Sequence, residues 1–156
     1  MHKYILILLL IGVCMTKLTA LESTKKTFIY NVSSVERVID GDSVEVVLDL
    51  GFNIFYKVSV RVDGIDTPEK STAEGKLVKT YAEEWFKTGQ FIVNSKELDK
   101  YGRVLGSIQK IHNDTVQDYS QTLITEGFAR VYNGEKKVEW SKEQLKVIRE
   151  KLGTKK

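Results

Sequence analysis

Apolar and polar residues change rhythm several times along this chain, and each change marks an element. From Thr27 to Val38 the residues are largely β-branched or aromatic, and Ser43–Leu50 partly alternates, which predicts two strands. Ile54–Val62 alternates throughout. Ile54, Tyr56, Val58, Val60 and Val62 share one face, and Phe55, Lys57, Ser59 and Arg61 share the other. Gly51-Phe52-Asn53 supplies turn residues between these runs, so the second and third strands are expected to pair as a hairpin. The period then lengthens. Leu77, Val78, Tyr81, Ala82, Trp85 and Phe86 recur at helical spacing and stop before Gly89, and this aromatic stripe is expected to be core. Phe91–Asn94 and Val104–Ile111 return to strand character around a turn at Asp99–Gly102. Asp118 can cap a second helix through Leu123 and Ile124, closed by Gly127. Ser141-Lys142-Glu143-Gln144 is a capping box opening a third helix through Leu145, Ile148 and Leu152, ended by Gly153.

Strands interrupted and followed by helices, with no internal repeat, predict one α+β domain over residues 27–153. A closed five-stranded β-barrel of the oligonucleotide-binding type (OB-fold), with three α-helices, fits the count. The pattern alone fits an open sheet equally well.

Residues 1–20 obey neither rhythm. His2-Lys3 precedes an uncharged run from Tyr4 to Met15, and Ala20 suits the position before a cleavage site. The run is short for a bilayer span and has the proportions of a secretory signal peptide. Export is the expectation, with the segment serving as a membrane anchor if it is not cut. Leu18 is large where a small residue is favoured, and Val13 before Cys14 makes a poor lipoprotein signal.

Composition narrows the chemistry. Cys14 is the single cysteine, and His2 and His112 are the two histidines. Zinc ribbons and thiol redox pairs therefore lack their parts, and a Ser-His-Asp triad or a histidine-based metal nuclease has little to build on. The net charge of +3 falls to +1 without residues 1–20, which hold Lys3 and Lys17 and no acid. Residues 136–156 hold eight Lys or Arg against three Glu, a solvated helix face that also attracts phosphate.

Three stretches concentrate the remaining reactive side chains. Asp40-Gly41-Asp42 taken alone is a turn, and Val44 falls where an EF-hand needs a third oxygen. Joined to Asp66 it becomes a set of carboxylates, which repel one another unless a hard divalent cation such as calcium, magnesium or manganese sits between them. Thr67 precedes Pro68, the only proline, which restricts its backbone and fixes the direction of its carbonyl, available as a neutral ligand beside Asp66, although Asp-Thr-Pro by itself is equally an ordinary strand exit. Glu69 follows and can orient a water and accept its proton, although a lone exposed glutamate usually only faces solvent. Arg61 and Arg103 supply planar cations suited to the charge that builds on a phosphodiester during cleavage. Asp99-Lys100-Tyr101-Gly102 by itself is an ordinary hairpin loop.

Ile39–Val44, Arg61–Glu69, Asp99–Arg103 and Leu123–Ala129, in this order, resemble the thermonuclease or staphylococcal nuclease family (SNase-like domain) from about Val35 to Leu152. The resemblance implies an OB-fold barrel with three helices and a calcium-dependent endonuclease acting on DNA and RNA, leaving 3′-phosphate and 5′-hydroxyl ends. It implies Asp42, Asp66 and the Thr67 carbonyl as calcium ligands, with Asp40 supporting the ion through its water. Arg61 and Arg103 would hold the scissile phosphate, Glu69 would be the general base, and Lys100 and Tyr101 would touch a neighbouring phosphate. No stable protein partner is implied, and a monomer is expected. The chain departs from the family in a shorter connection after Glu69, in Ser43 after Asp-Gly-Asp, in Tyr132 offset from the base-stacking tyrosines, and in the absence of a tryptophan after Leu152. Two other classes fit the residues: the same barrel binding single strands or a protein without turnover, and a membrane-tethered structural protein.

Overall fold

A computed structural model describes residues 27–113 and 115–153. The expected leader, residues 1–20, lies outside them. In chain order the elements are β1 (Phe28–Asp40), β2 (Ser43–Asp49), β3 (Phe55–Val62), β4 (Ile65–Asp66), α1 (Ala73–Phe86), β5 (Gln90–Leu98), β6 (Val104–His112), β7 (Thr115–Asp118), α2 (Tyr119–Glu126), β8 (Arg130–Val131) and α3 (Lys142–Leu152).

The sheet closes into a barrel. Antiparallel pairs join β3 to β2, β2 to β1, β1 to β5 and β5 to β6, and a parallel pair, Val60 with Val104 through Val62 with Gly106, joins β3 to β6. A closed five-stranded barrel carrying three helices is the α+β OB-fold expected from the count. The long β1 serves two neighbours by bending. Its register against β2 shifts between Val32 and Ser34, between Val35 and Arg37, and between Val38 and Asp40, and such bulges increase local twist. Gly106 lies so close to β5 that a Cβ there would fall 2.4 Å from the Asn94 carbonyl oxygen.

Alternation on the strands turns Val44, Val46, Val58, Val60, Val93 and Ile108 into the barrel. The helical stripe covers one opening, as expected of core: Val78 and Ala82 are fully buried, and Trp85 and Phe86 pack with Phe91 and Tyr119 at ring separations of 4.7–5.6 Å. Among the described residues the three helices each start on a side-chain cap, from Thr72, Asp118 and Ser141, the last a complete capping box with Gln144. Gly127 closes α2 in the left-handed conformation at φ 77°.

The structure extends the sequence reading in three places. β1 runs on to Asp40 and β5 to Leu98, because polar residues there still pair through their backbones. The short strands β4, β7 and β8 carry too few residues to show a period. On β3, Val58, Val60 and Val62 are buried, whereas Ile54 and Tyr56, on the same face by alternation, are exposed beyond the end of the core. Among the described residues no helix is long and apolar enough to cross a membrane.

Candidate active site

Asp40, Gly41 and Asp42 form the tight connection from β1 to β2, with Asp40 paired to Ser43. A side chain at position 41 has no room: a Cβ would sit 2.7 Å from Val78 Cγ1 and 2.9 Å from Thr67 Oγ1. The turn is thereby packed between α1 and the Asp66-Thr67 segment. From below, the fully buried Tyr119 hydroxyl donates to the Gly41 carbonyl at 2.8 Å. Burial and the charge of Asp42 push the Tyr119 hydroxyl well above its ordinary pKa, so it remains a donor. Tyr119→Phe leaves that buried carbonyl without its partner and is expected to cost about 1–3 kcal/mol in urea unfolding.

Asp42 is buried and already bonded. Its Oδ1 accepts from the Ser43 hydroxyl at 3.0 Å, and its Oδ2 accepts from the Thr67 backbone N–H at 3.3 Å and lies 3.2 Å from Arg61 Nη2. Asp40 is less enclosed. It accepts from Gly41 N–H at 2.9 Å and Lys70 N–H at 3.4 Å, and burial raises its pKa, with the nearby charges of Asp42 and Glu69 adding to the rise.

The two arginines are held differently. Arg61 donates from Nη1 to the Val62 carbonyl at 2.6 Å and from Nη2 to the Ile65 carbonyl at 2.8 Å, which fixes the guanidinium against the β3–β4 turn. Arg103 is tied by Nε to Asp99 Oδ2 at 2.7 Å. Asp99 Oδ1 meanwhile accepts from the backbone N–H groups of Tyr101 and Arg103, and it orders the loop it begins. Burial opposes ionisation of Asp99, but the Arg103 bonds outweigh it and hold its pKa below the usual carboxylate value. Lys100 and Arg103 both lie over the Tyr101 ring, at 5.0 and 5.4 Å.

These groups meet in one cleft of about 860 Å³, in which Asp40, Asp42, Arg61, Thr67, Glu69 and Arg103 share the lining with Lys100, Tyr101, Tyr132 and Lys137. Glu69 reaches it from a braced turn, since its carbonyl accepts from both the backbone N–H and the hydroxyl of Thr72 at 2.8 Å.

Asp66 is the exception. Its carboxylate is buried beside the cleft and borders a second cavity of about 330 Å³ that shares Thr67, Glu69 and Lys137 with the first. Pairing of β4 with β8 sets Asp66 opposite Arg130, whose Nε and Nη2 donate to Oδ2 at 3.0 and 2.8 Å. Arg130 is itself braced by the Val138 and Glu139 carbonyls and stacks over Trp140. Lys137 Nζ bridges Asp66 Oδ1 at 2.9 Å and Glu69 Oε1 at 2.8 Å. Partial burial works to lower the Lys137 pKa, but the two carboxylates outweigh it and raise it far above the ordinary lysine value.

Arg130, Lys137 and Tyr119 are site residues that sequence reasoning missed. Lys137 lies in the basic stretch assigned to solvent, and Arg130 stands one residue beyond the Leu123–Ala129 motif. Their positions in the chain give no hint of the acids and turn they meet.

The donor set suits a hard divalent cation in kind. Asp42, Asp66 and Asp40 offer oxygens only, and Asp66 Oδ1 and Thr67 Oγ1 are buried without a hydrogen bond, the Lys137 ammonium facing Oδ1 as an ion pair. The Thr67 N–H bond to Asp42 brings Asp42 within one residue of Asp66 along the chain. Among the described residues no three acids converge into a ready-made cluster, so backbone carbonyl and water would have to complete the shell.

Residues 59–156 match the family model described as Staphylococcal nuclease homologue. Asp40-Gly41-Asp42 lies ahead of that span. The chain is similar to Protein ParB of Escherichia coli, 35% identical over 74 residues that cover 47% of this chain and 39% of that protein. It is similar to Probable endonuclease LCL3 of Nakaseomyces delphensis, 33% identical over 53% of this chain and 34% of the relative. Micrococcal nuclease of Shigella flexneri is 31% identical over 47% of this chain and 40% of its own length. The chain thus spans two-fifths or less of each of these curated relatives. With the matched model covering more than half of the sequence and the closed barrel beneath it, this chain belongs to the staphylococcal nuclease family.

Proposed function

We propose that the protein is a calcium-dependent endonuclease that hydrolyses phosphodiester bonds of DNA and RNA to 3′-phosphate and 5′-hydroxyl products. The observation that carries this reading is one cleft whose lining brings two anchored guanidiniums together with Glu69 and Asp42. Relatives named as a probable endonuclease and a micrococcal nuclease support the reaction class.

Asp42, Asp66 and the Thr67 carbonyl would hold the calcium ion, with Asp40 supporting it through water. When bound, the ion supplies charge that polarises the phosphoryl oxygen. Arg61 and Arg103 orient the phosphate and counter the charge that grows on its equatorial oxygens, and their bonds to Val62, Ile65 and Asp99 fix them before substrate arrives. Glu69 takes the proton of the attacking water. Lys100 and Tyr101 contact the next phosphate along the strand. The protein is read as an exported monomer, with residues 1–20 as leader or, uncut, as anchor.

Plasmid nicking and RNA degradation with calcium, with chelator, and with product-end analysis test the reading. A 5′-phosphate end overturns the proposed mechanism, and metal-independent binding without cleavage makes the domain a binding module. Lys137 is expected to compete with calcium for Asp66. Lys137→Gln should tighten calcium binding in calorimetry by about fivefold, the equivalent of about 1 kcal/mol for a partly exposed ion pair. Unchanged or weaker binding removes Lys137 from that role.

A further inference from the structure

The β2–β3 hairpin carries apolar residues past the point where a core can use them. Phe52 at its tip is 97% exposed, and Ile54, Phe55 and Tyr56 are 55%, 54% and 59% exposed. Three consecutive exposed apolar residues present both faces of a strand to solvent, which no one-sided core contact requires. Phe28 and Ile29 extend β1 beyond its last pair with β2, Asn31 with Asp49, and lie exposed along the same end. Apolar patches of this kind mark interaction surfaces.

The tip is also closed on itself. Gly51, Phe52 and Asn53 are all left-handed, at φ 80°, 54° and 59°. Leu50 N–H donates to the Ile54 carbonyl, Ile54 N–H to the Gly51 carbonyl, and Gly51 N–H to the Asp49 carboxylate. Backbone groups satisfied in this way suit contact with hydrocarbon, where open groups are costly.

We propose that this tip is a membrane-contact surface, with Phe52, Phe55, Tyr56 and Phe28 seated in the interfacial layer of a phospholipid bilayer. Lipid is favoured over a second copy by what precedes β1. The sequence from Tyr4 to Met15 is uncharged, only residues 16–27 separate it from Phe28, and that stretch carries Lys17, Lys25 and Lys26 against Glu22. Aromatic residues beside lysines suit the headgroup region of an anionic membrane. β2 runs from Ser43 at the cleft to Asp49 at the tip, roughly 20 Å at strand rise, so a seated tip leaves the cleft facing water.

The test uses the full chain with vesicles of phosphatidylcholine and phosphatidylglycerol, plain or with brominated acyl chains. Phe52→Trp adds one indole at the tip to the native Trp85 and Trp140. Its emission is expected to be quenched by brominated lipid clearly beyond the wild-type protein's, and partition of Phe52→Ser/Phe55→Ser should fall about tenfold. The proposal is overturned if Phe52→Trp shows no quenching beyond wild type. It is equally overturned if light scattering finds a dimer that Phe52→Ser dissolves.

Discussion

Glu69→Gln is expected to lower kcat/KM on plasmid DNA by about 10²–10⁴ while leaving the urea midpoint nearly unmoved. The amide keeps the size and one acceptor of the carboxylate but cannot take a proton from water. Its structural cost is small. The Glu69 side chain is 64% exposed and its one ion pair, with Lys137, is open to solvent, a class of contact worth about 0.2–1 kcal/mol. The turn itself is held through the Glu69 carbonyl by Thr72, and the substitution does not touch that bond. A rate within about threefold of wild type would show that the proton goes elsewhere. Calcium affinity should change little, because Glu69 is not assigned to the ion, and this separates loss of a base from loss of the metal.

The arginines are expected to part company when each is replaced by lysine. Both variants should lose about 10²–10³ in rate, since an ammonium cannot present paired donors to two phosphate oxygens. Only Arg61→Lys should also unfold more easily, by about 1–3 kcal/mol. Its guanidinium is 12% exposed and simultaneously serves the Val62 and Ile65 carbonyls and faces Asp42, and one ammonium cannot reach all three. Arg103 is 32% exposed, and Asp99 keeps its loop ordered through two backbone N–H groups after the side chain is changed. Paired measurements of kcat/KM and urea unfolding check this. If Arg103→Lys proves the less stable of the two, or Arg61→Lys keeps its rate, the division of roles is wrong.

Much of this was legible because it is local. A period of two or of 3.6 residues, and a cap three residues ahead of its target, are short-range relations, so the long strands, the helices and the helix starts follow from neighbouring residues. The four motifs likewise lie within short segments. Their order carries the family resemblance, and Asp42, Arg61, Glu69 and Arg103 line one cleft. The sequence sets Asp66 beside Asp40-Gly41-Asp42 and Thr67, and it carries no sign that Arg130 and Lys137 also face the Asp66 oxygens.

What the amino-acid order determined, then, was the five long strands and three helices, the inward faces and the stock of acids and arginines. Only the tertiary structure decided that β3 meets β6 to close the barrel, that β8 carries Arg130 to Asp66, that Tyr119 supports Gly41 across 78 positions, and that Phe52 projects beyond the core. The reason is physical. Strand pairing between distant segments is made by backbone groups that every residue possesses, and a charged or hydroxylated side chain has the same chemistry whichever partner the fold brings to it.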